Sequence, residues 1–284
     1  MTGAIAHDPA HRTGALRRQG FIRRVSDISV LTYRNLVHIA RQPTRLGDVT
    51  LQPVLFTLLF IWILGSGVTL PGGGSYTDFA IPGLIQLNIT TSAIGTAIGL
   101  STDLGTGVID RFRTLPMWNG AVLVGRSISD LMTMMICILM VAVTGLVIGW
   151  RVDASVPAIV GGFAIFVLFG YALEWGCACL GAASEDAEST TNFGFIILFP
   201  LAIISNALVP TSHMPTVIRF IAVWNPVSAV TAAVRHLWNS PSPPAGIHAL
   251  PMQYPVPAAL IWCASLLAIF VPLAICLYRR RTTT

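Results

Sequence analysis

Apolar residues in this chain gather into long unbroken runs. They neither alternate as in a half-buried strand nor recur on one face as in a soluble amphipathic helix. A helix needs about 20 apolar residues to cross roughly 30 Å of hydrocarbon. Six runs meet that length, at about 51–68, 79–101, 128–150, 156–181, 193–209 and 257–278. The fifth is short and contains Pro200. Upstream, Ile22, Val25, Ile28, Leu31, Leu36 and Ile39 recur at helical spacing, with Arg23, Arg24, Arg34 and Arg41 on the charged side. That pattern predicts an amphipathic helix over 22–42, lying on the membrane surface or packed on a cytosolic partner. Between the fifth and sixth runs, 216–224 and 227–238 read as two apolar helices too short to span, separated by Asn225-Pro226. They are expected to form an external re-entrant or surface-lying pair.

The composition agrees with a bilayer environment. Of 284 residues, 54% are hydrophobic and 10% are charged, against about 25% charged in a soluble domain. Every basic residue is arginine. The lack of lysine excludes the phosphate-gripping residue of a Walker A loop and any Schiff-base chemistry. Arginines also orient the spans. With the amino terminus inside, the segments 1–50, 102–127, 182–192 and 279–284 hold fourteen of the seventeen, as the positive-inside rule requires. The expected organisation is a basic cytoplasmic tail (1–21), an interface helix and linker (22–49), a six-span domain (50–278) and a cytoplasmic carboxy terminus (279–284). The first apolar run begins too far along the chain for a cleaved signal peptide.

Candidate chemistry is sparse. The five cysteines lie in apolar runs without metal-ligand spacing, and no histidine falls within a span, so neither a metal site nor a catalytic set is expected. Glu174 is the one clear ionisable residue inside a run. It either lines a water-filled cavity or pairs with an arginine at the cytoplasmic end. Asp130 is expected at the amino-terminal start of the third span, where a carboxylate suits the helix dipole. The second run carries Gln86, Asn88, Thr90, Thr91 and Ser92. These serve helix-to-helix hydrogen bonding, or Asn88 and Thr91 line a pathway for an amphipathic substrate. The acidic residues Glu185, Asp186 and Glu188 favour the start of the fifth helix, or meet a partner or the arginine-rich helix. "GTGVIDRFRTLPMWNG", between the second and third runs, crowds Asp110, Arg111 and Arg113 around Phe112. An apolar anchor among charges suits docking on a partner, or the arginines merely set topology.

The order of several motifs resembles the permeases of type-2 ABC transporters, most like their daunorubicin-resistance, DrrB-like subgroup. "LTYRNLVHIARQPTRLGDVTLQPVLF" resembles the family's opening, with Arg34, Arg41 and a Gln-Pro pair at 52–53. "YTDFAIPGLI", "GVIDRFRTLPM" and "VGRSISDLM" follow in the family's order. "LVPTSHMPTVIRFIAVWNPVSAVTAAVR" resembles the segment before the last span, marked by Pro210, Pro215, Asn225, Pro226 and Arg235. The resemblance implies an all-α membrane protein of the type V exporter kind, with an interface helix, six spans and short external re-entrant helices. It implies a second permease chain, identical or related, and two copies of a separate ATPase that bind ATP and magnesium. It places Asp110–Arg113 at the ATPase contact. It also implies export of an amphipathic drug-like or lipid-like substrate across the bacterial inner membrane. A polysaccharide substrate, and a proton-coupled carrier leaning on Glu174, are the alternatives.

Overall fold

The computed structural model describes residues 43–65, 67, 75–106, 121–184, 186–211, 214–242 and 249–283. Among them every regular element is helical: α1 (Pro43–Gly65), α2 (Tyr76–Gly105), α3 (Ala121–Ile148), α4 (Val156–Ala183), α5 (Ala187–Ile203), α6 (Thr216–Trp224), α7 (Pro226–Leu237), α8 (Leu250–Gln253) and α9 (Pro255–Thr283). The expected interface helix, with Arg34 and Arg41, and the stretch Asp110, Arg111, Phe112 and Arg113 lie outside the described residues.

Helix α2 is the axis of the bundle. Phe79, Ile81, Leu84, Ile85, Ile89 and Leu100 along it are all buried, and α3, α4 and α5 pack on it, with α1 and α7 alongside. The helices around it turn apolar faces outward. Leu139, Leu146 and Val147 on α3, and Ile261 and Ile269 on α9, which packs on α4 and α7, are exposed. Water would not tolerate that much apolar surface on a monomer, whereas lipid does. Among the described residues, five helices are long and apolar enough to cross a membrane: Gly47–Gly65, Tyr76–Gly105, Val124–Ile148, Val156–Ala183 and Pro255–Arg281.

Two expectations change. The fifth run, read as 193–209, folds as a 17-residue helix starting at Ala187. Asp186 sets that start: its carboxylate accepts hydrogen bonds from the Ser189 amide at 2.7 Å and the Ser189 hydroxyl at 3.1 Å, which makes it a side-chain N-cap. Asp186 and Glu188 thus belong to the start of the helix, the first of the readings above; Glu185 lies outside the described residues. The helix ends at Ile203, and Thr190, Gly194, Leu198 and Ala202 form its buried stripe at intervals of four. Helix α3, expected to begin near 128, begins at Ala121. Asp130 is therefore in the third turn, too far from the helix start to complement the dipole, and it pairs with Arg126 instead.

The short helices fall close to their expected positions and meet at 69°. Pro226 occupies the first position of α7, where its missing N–H costs nothing. At the end of α3, Gly149 takes φ +110°. The Trp150 amide bonds back to the Gly145 carbonyl at 2.9 Å and the Gly149 amide to Leu146 at 3.3 Å, a Schellman ending that only an achiral residue adopts without strain.

Candidate functional site

Polar groups concentrate at the two ends of α2. At its amino-terminal end the organising residue is Arg235, which is 1% exposed. Its Nε and Nη2 donate to the Phe79 carbonyl at 3.2 and 2.8 Å, Nη1 to Asn206 O at 2.7 Å, and Nη2 to Ala207 O at 2.6 Å. The guanidinium also sits 3.7 Å from the centre of the Phe79 ring. The donors of one side chain therefore hold together α2, α7 and the turn after α5. Gly83 makes the approach possible, because a Cβ there would overlap the Ala207 carbonyl. Asn225 repeats the device one helix earlier. Its Nδ2 donates to Leu201 O at 2.7 Å and Ile204 O at 2.6 Å, while its Oδ1 caps α7 by accepting from the Val227 amide at 2.8 Å. Pro215 stands before α6, exposed, and Pro210 is buried in the turn leading to it. Beside Arg235 opens a cavity of about 470 Å3 with Asn206, Thr211, His236 and Gln253 on its wall. The sequence marked Asn225 and Arg235 as family signatures, and the structure makes both of them tethers between elements. Nothing in the sequence announced the cavity, whose walls come from four separate segments.

Pathway candidates Asn88 and Thr91 lie midway along α2. Asn88 Nδ2 donates to Leu84 O at 2.9 Å, and the Thr91 hydroxyl to Leu87 O at 3.1 Å. Thr90 and Ser92 likewise bond to their own helix. The expected helix-to-helix bonding is not what these groups do here. Back-bonding to the preceding turn satisfies them locally, as it does for Ser and Thr within apolar helices.

At the carboxy-terminal end of α2, charges converge from three helices. Arg126 on α3 forms ion pairs with Asp103 on α2 and, through Nε at 3.4 Å, with Asp130 one turn along its own helix. Glu174 on α4 is 3% exposed, and its Oε2 has no hydrogen-bond partner among the described residues. It shares with Arg126, Ser127, Thr96, Leu100 and Trp175 a cavity of about 10 Å3. That is room for about one water. Of the two readings of Glu174, the structure contains the cavity but no ion pair from Glu174 to an arginine among the described residues. The Asp103–Arg126 pair was not anticipated. Two charged residues flanking a loop are common, and only the packing of α2 on α3 makes them meet. Among the described residues no group of three histidine, cysteine or acidic side chains is placed to hold a metal.

Arg235 and Asn225 thus tether the elements at one end of α2, neutral polar groups lie midway along it, and an ion pair clasps the other end to α3. Comparison with known proteins assigns the family. The profile of the family described as "ABC-2 type transporter" matches residues 26–238. The chain is 30% identical over 249 residues to the "Daunorubicin resistance ABC transporter permease protein DrrB1" of Streptomyces coeruleorubidus, covering 88% of this chain and 84% of that one. It is 26% identical over 262 residues to the "Probable doxorubicin resistance ABC transporter permease protein DrrC" of Mycobacterium tuberculosis, covering 91% and 90%. It is also 26% identical over 226 residues to the "Putative transport permease ycf38" of Porphyra purpurea, covering 76% and 75%. With its family match across three-quarters of its length and its apolar helices packed around α2, the chain belongs to the ABC-2 type transporter family, as a membrane-embedded permease subunit.

Proposed function

We propose that two copies of this chain, or this chain and a related one, form the membrane channel of an exporter in the bacterial inner membrane. Two copies of an ATPase bind ATP and magnesium on the cytoplasmic side and drive it between inward- and outward-facing states. The substrate is an amphipathic, drug-like or lipid-like molecule. The observation carrying this reading is the similarity to DrrB1 across 88% of the chain. The arginine bias supports a six-span topology with both termini cytoplasmic, α5 serving as the short fifth span and α6 and α7 lying outside. At about 1.5 Å per residue a 17-residue helix covers about 25 Å, so α5 needs its flanking turns or a locally thinned bilayer to cross.

Asp110, Arg111, Phe112 and Arg113 are the proposed ATPase contact. They leave the membrane domain between α2 and α3, whose facing ends are clasped by Asp103 and Arg126, so a push on the loop is delivered to both helices. Arg34 and Arg41 are proposed to anchor the interface helix on lipid phosphates. Asn88 and Thr91 are proposed to flank the substrate route, with Glu174 at its cytoplasmic end. The test is co-expression with an ATPase subunit encoded beside it, followed by co-purification and uptake of a fluorescent amphiphile into inverted vesicles. ATP-dependent, vanadate-sensitive uptake is expected. Uptake driven by a proton gradient without ATP would replace this reading with a secondary carrier.

A further inference from the structure

Glu174 poses a physical problem that its proposed place on the route does not solve. A carboxylate taken out of water is costly unless it is paired. Oε2 has no hydrogen-bond partner among the described residues, and the adjoining cavity of about 10 Å3 is far below the roughly 300 Å3 of a small-molecule pocket. Drug-sized cargo cannot reach it in this conformation. Arg126 lines the same cavity, and its guanidinium is ion-paired with Asp103 and Asp130. Asp103 and Glu174 sit on different helices, α2 and α4, and Arg126 on α3 pairs with the one and shares a cavity with the other. Gly99 lies beneath the guanidinium, where any Cβ would overlap Nη2. The floor over which the side chain would move is therefore bare.

We propose that Arg126 is the moving arm of a two-position charge latch. In the present conformation it holds α3 to α2 through Asp103. In the alternate conformation it passes to Glu174 and holds α3 to α4. The planar guanidinium suits the exchange, because its five donors can engage a new carboxylate before releasing the old one. Both positions pair the partly buried cation, which is what gives an element two discrete arrangements. Asp103 lies in the last turn of α2 and Arg126 in the second turn of α3. The latch is therefore placed to register movement of the intervening loop. This inference rests on the reading of that loop as the ATPase contact.

The experiment uses the full transporter, with native cysteines replaced and spin labels at Thr102 on α2 and Met132 on α3, both exposed. Labelled chain is diluted with unlabelled chain so that distances within one copy dominate. Distances are measured without nucleotide and after vanadate trapping. Trapping should lengthen the separation. Asp103→Asn should give the trapped distance even without nucleotide. Glu174→Gln should keep the untrapped distance after trapping and lower transport at least tenfold while ATPase binding persists. Gly99→Ala, whose Cβ would overlap Nη2 in its present position, should shift the distance without nucleotide toward the trapped one. A cluster that only stabilises the fold would lower the thermal midpoint in both Asp103→Asn and Glu174→Gln without moving the distances in opposite senses. That result, or a Glu174→Gln variant that moves and transports like the parent, overturns the latch. A parent chain that never binds the ATPase overturns the coupling reading and the latch with it.

Discussion

Arg235 illustrates how a single side chain can hold a membrane protein together. Replacing it with Met preserves bulk but strands the carbonyls of Phe79, Asn206 and Ala207, which accept its hydrogen bonds. Each buried acceptor left without a donor costs about 1–3 kcal/mol. The expected outcome for Arg235→Met is a large fall in the thermal midpoint of the detergent-purified protein. Arg235→Lys should recover part of it, because an ammonium has three donors but no planar fork. Asp186 supports a pH prediction. The hydrogen bonds from Ser189 hold its carboxyl below the usual aspartate range. A group depressed on folding stabilises the fold above its unfolded value, about 3.9, and that contribution disappears as pH falls through the lower folded value. Asp186→Asn keeps an N-cap but does not titrate. Compared with the parent, it should lose less thermal stability between pH 5 and pH 3; identical pH profiles would remove Asp186 from the account.

At the scale of elements, the bend between α6 and α7 and the loop between α2 and α3 do different work. The 69° bend is pinned by Asn225 to the end of α5. Asn225→Ala removes both bonds to α5 and the cap on α7. A lost cap alone costs about 1 kcal/mol. The expected outcome is a lower thermal midpoint and faster proteolysis near 204–215, with membrane insertion unchanged. Phe112, by contrast, should matter little to folding. If it anchors the ATPase, Phe112→Ala loses about 2 kcal/mol of binding, roughly 30-fold in affinity, measured by pull-down and by substrate-stimulated hydrolysis. Arg111→Glu and Arg113→Glu should weaken binding most at low salt, where exposed charges act over the longest range. Normal binding in all three would place the contact elsewhere.

For the whole molecule, the testable quantity is which side each segment faces. Single cysteines at Ser75 and Ser242 should react with an impermeant thiol reagent from outside intact cells, and those at Thr106 and Thr282 should not. Native cysteines must first be replaced, above all Cys276, which is exposed. Labelling of Thr106 from outside would reverse the topology and remove the loop from reach of a cytoplasmic ATPase. The exposed apolar faces of α1, α3, α5 and α9, including Trp62, Val147, Ile196 and Ile261, are available to lipid and to the proposed second chain.

The amino-acid sequence by itself shows which segments are long and apolar enough to cross lipid. Such runs become helices because lipid leaves a backbone few other ways to satisfy its hydrogen bonds, and the arginine bias supports the proposed orientation because charge resists translocation. The short helices beside Asn225-Pro226 are legible too, since proline cannot donate within a helix and starts one readily. Two things are local but not encoded in hydrophobicity, and one depends on tertiary structure. Helix α5 starts at Ala187 because Asp186 caps it, and hydrophobicity alone carries no such signal over 187–192. Asn88, Thr90, Thr91 and Ser92 on α2 bond to their own helix, an outcome set by side-chain rotamers that spacing does not encode. The Arg126 clasp arises because Asp103 and Arg126, twenty-three residues apart, meet only when α2 packs on α3. Periodicity reports how each helix divides its faces between lipid and protein, but the partner of a buried charge is decided by which helices pack together.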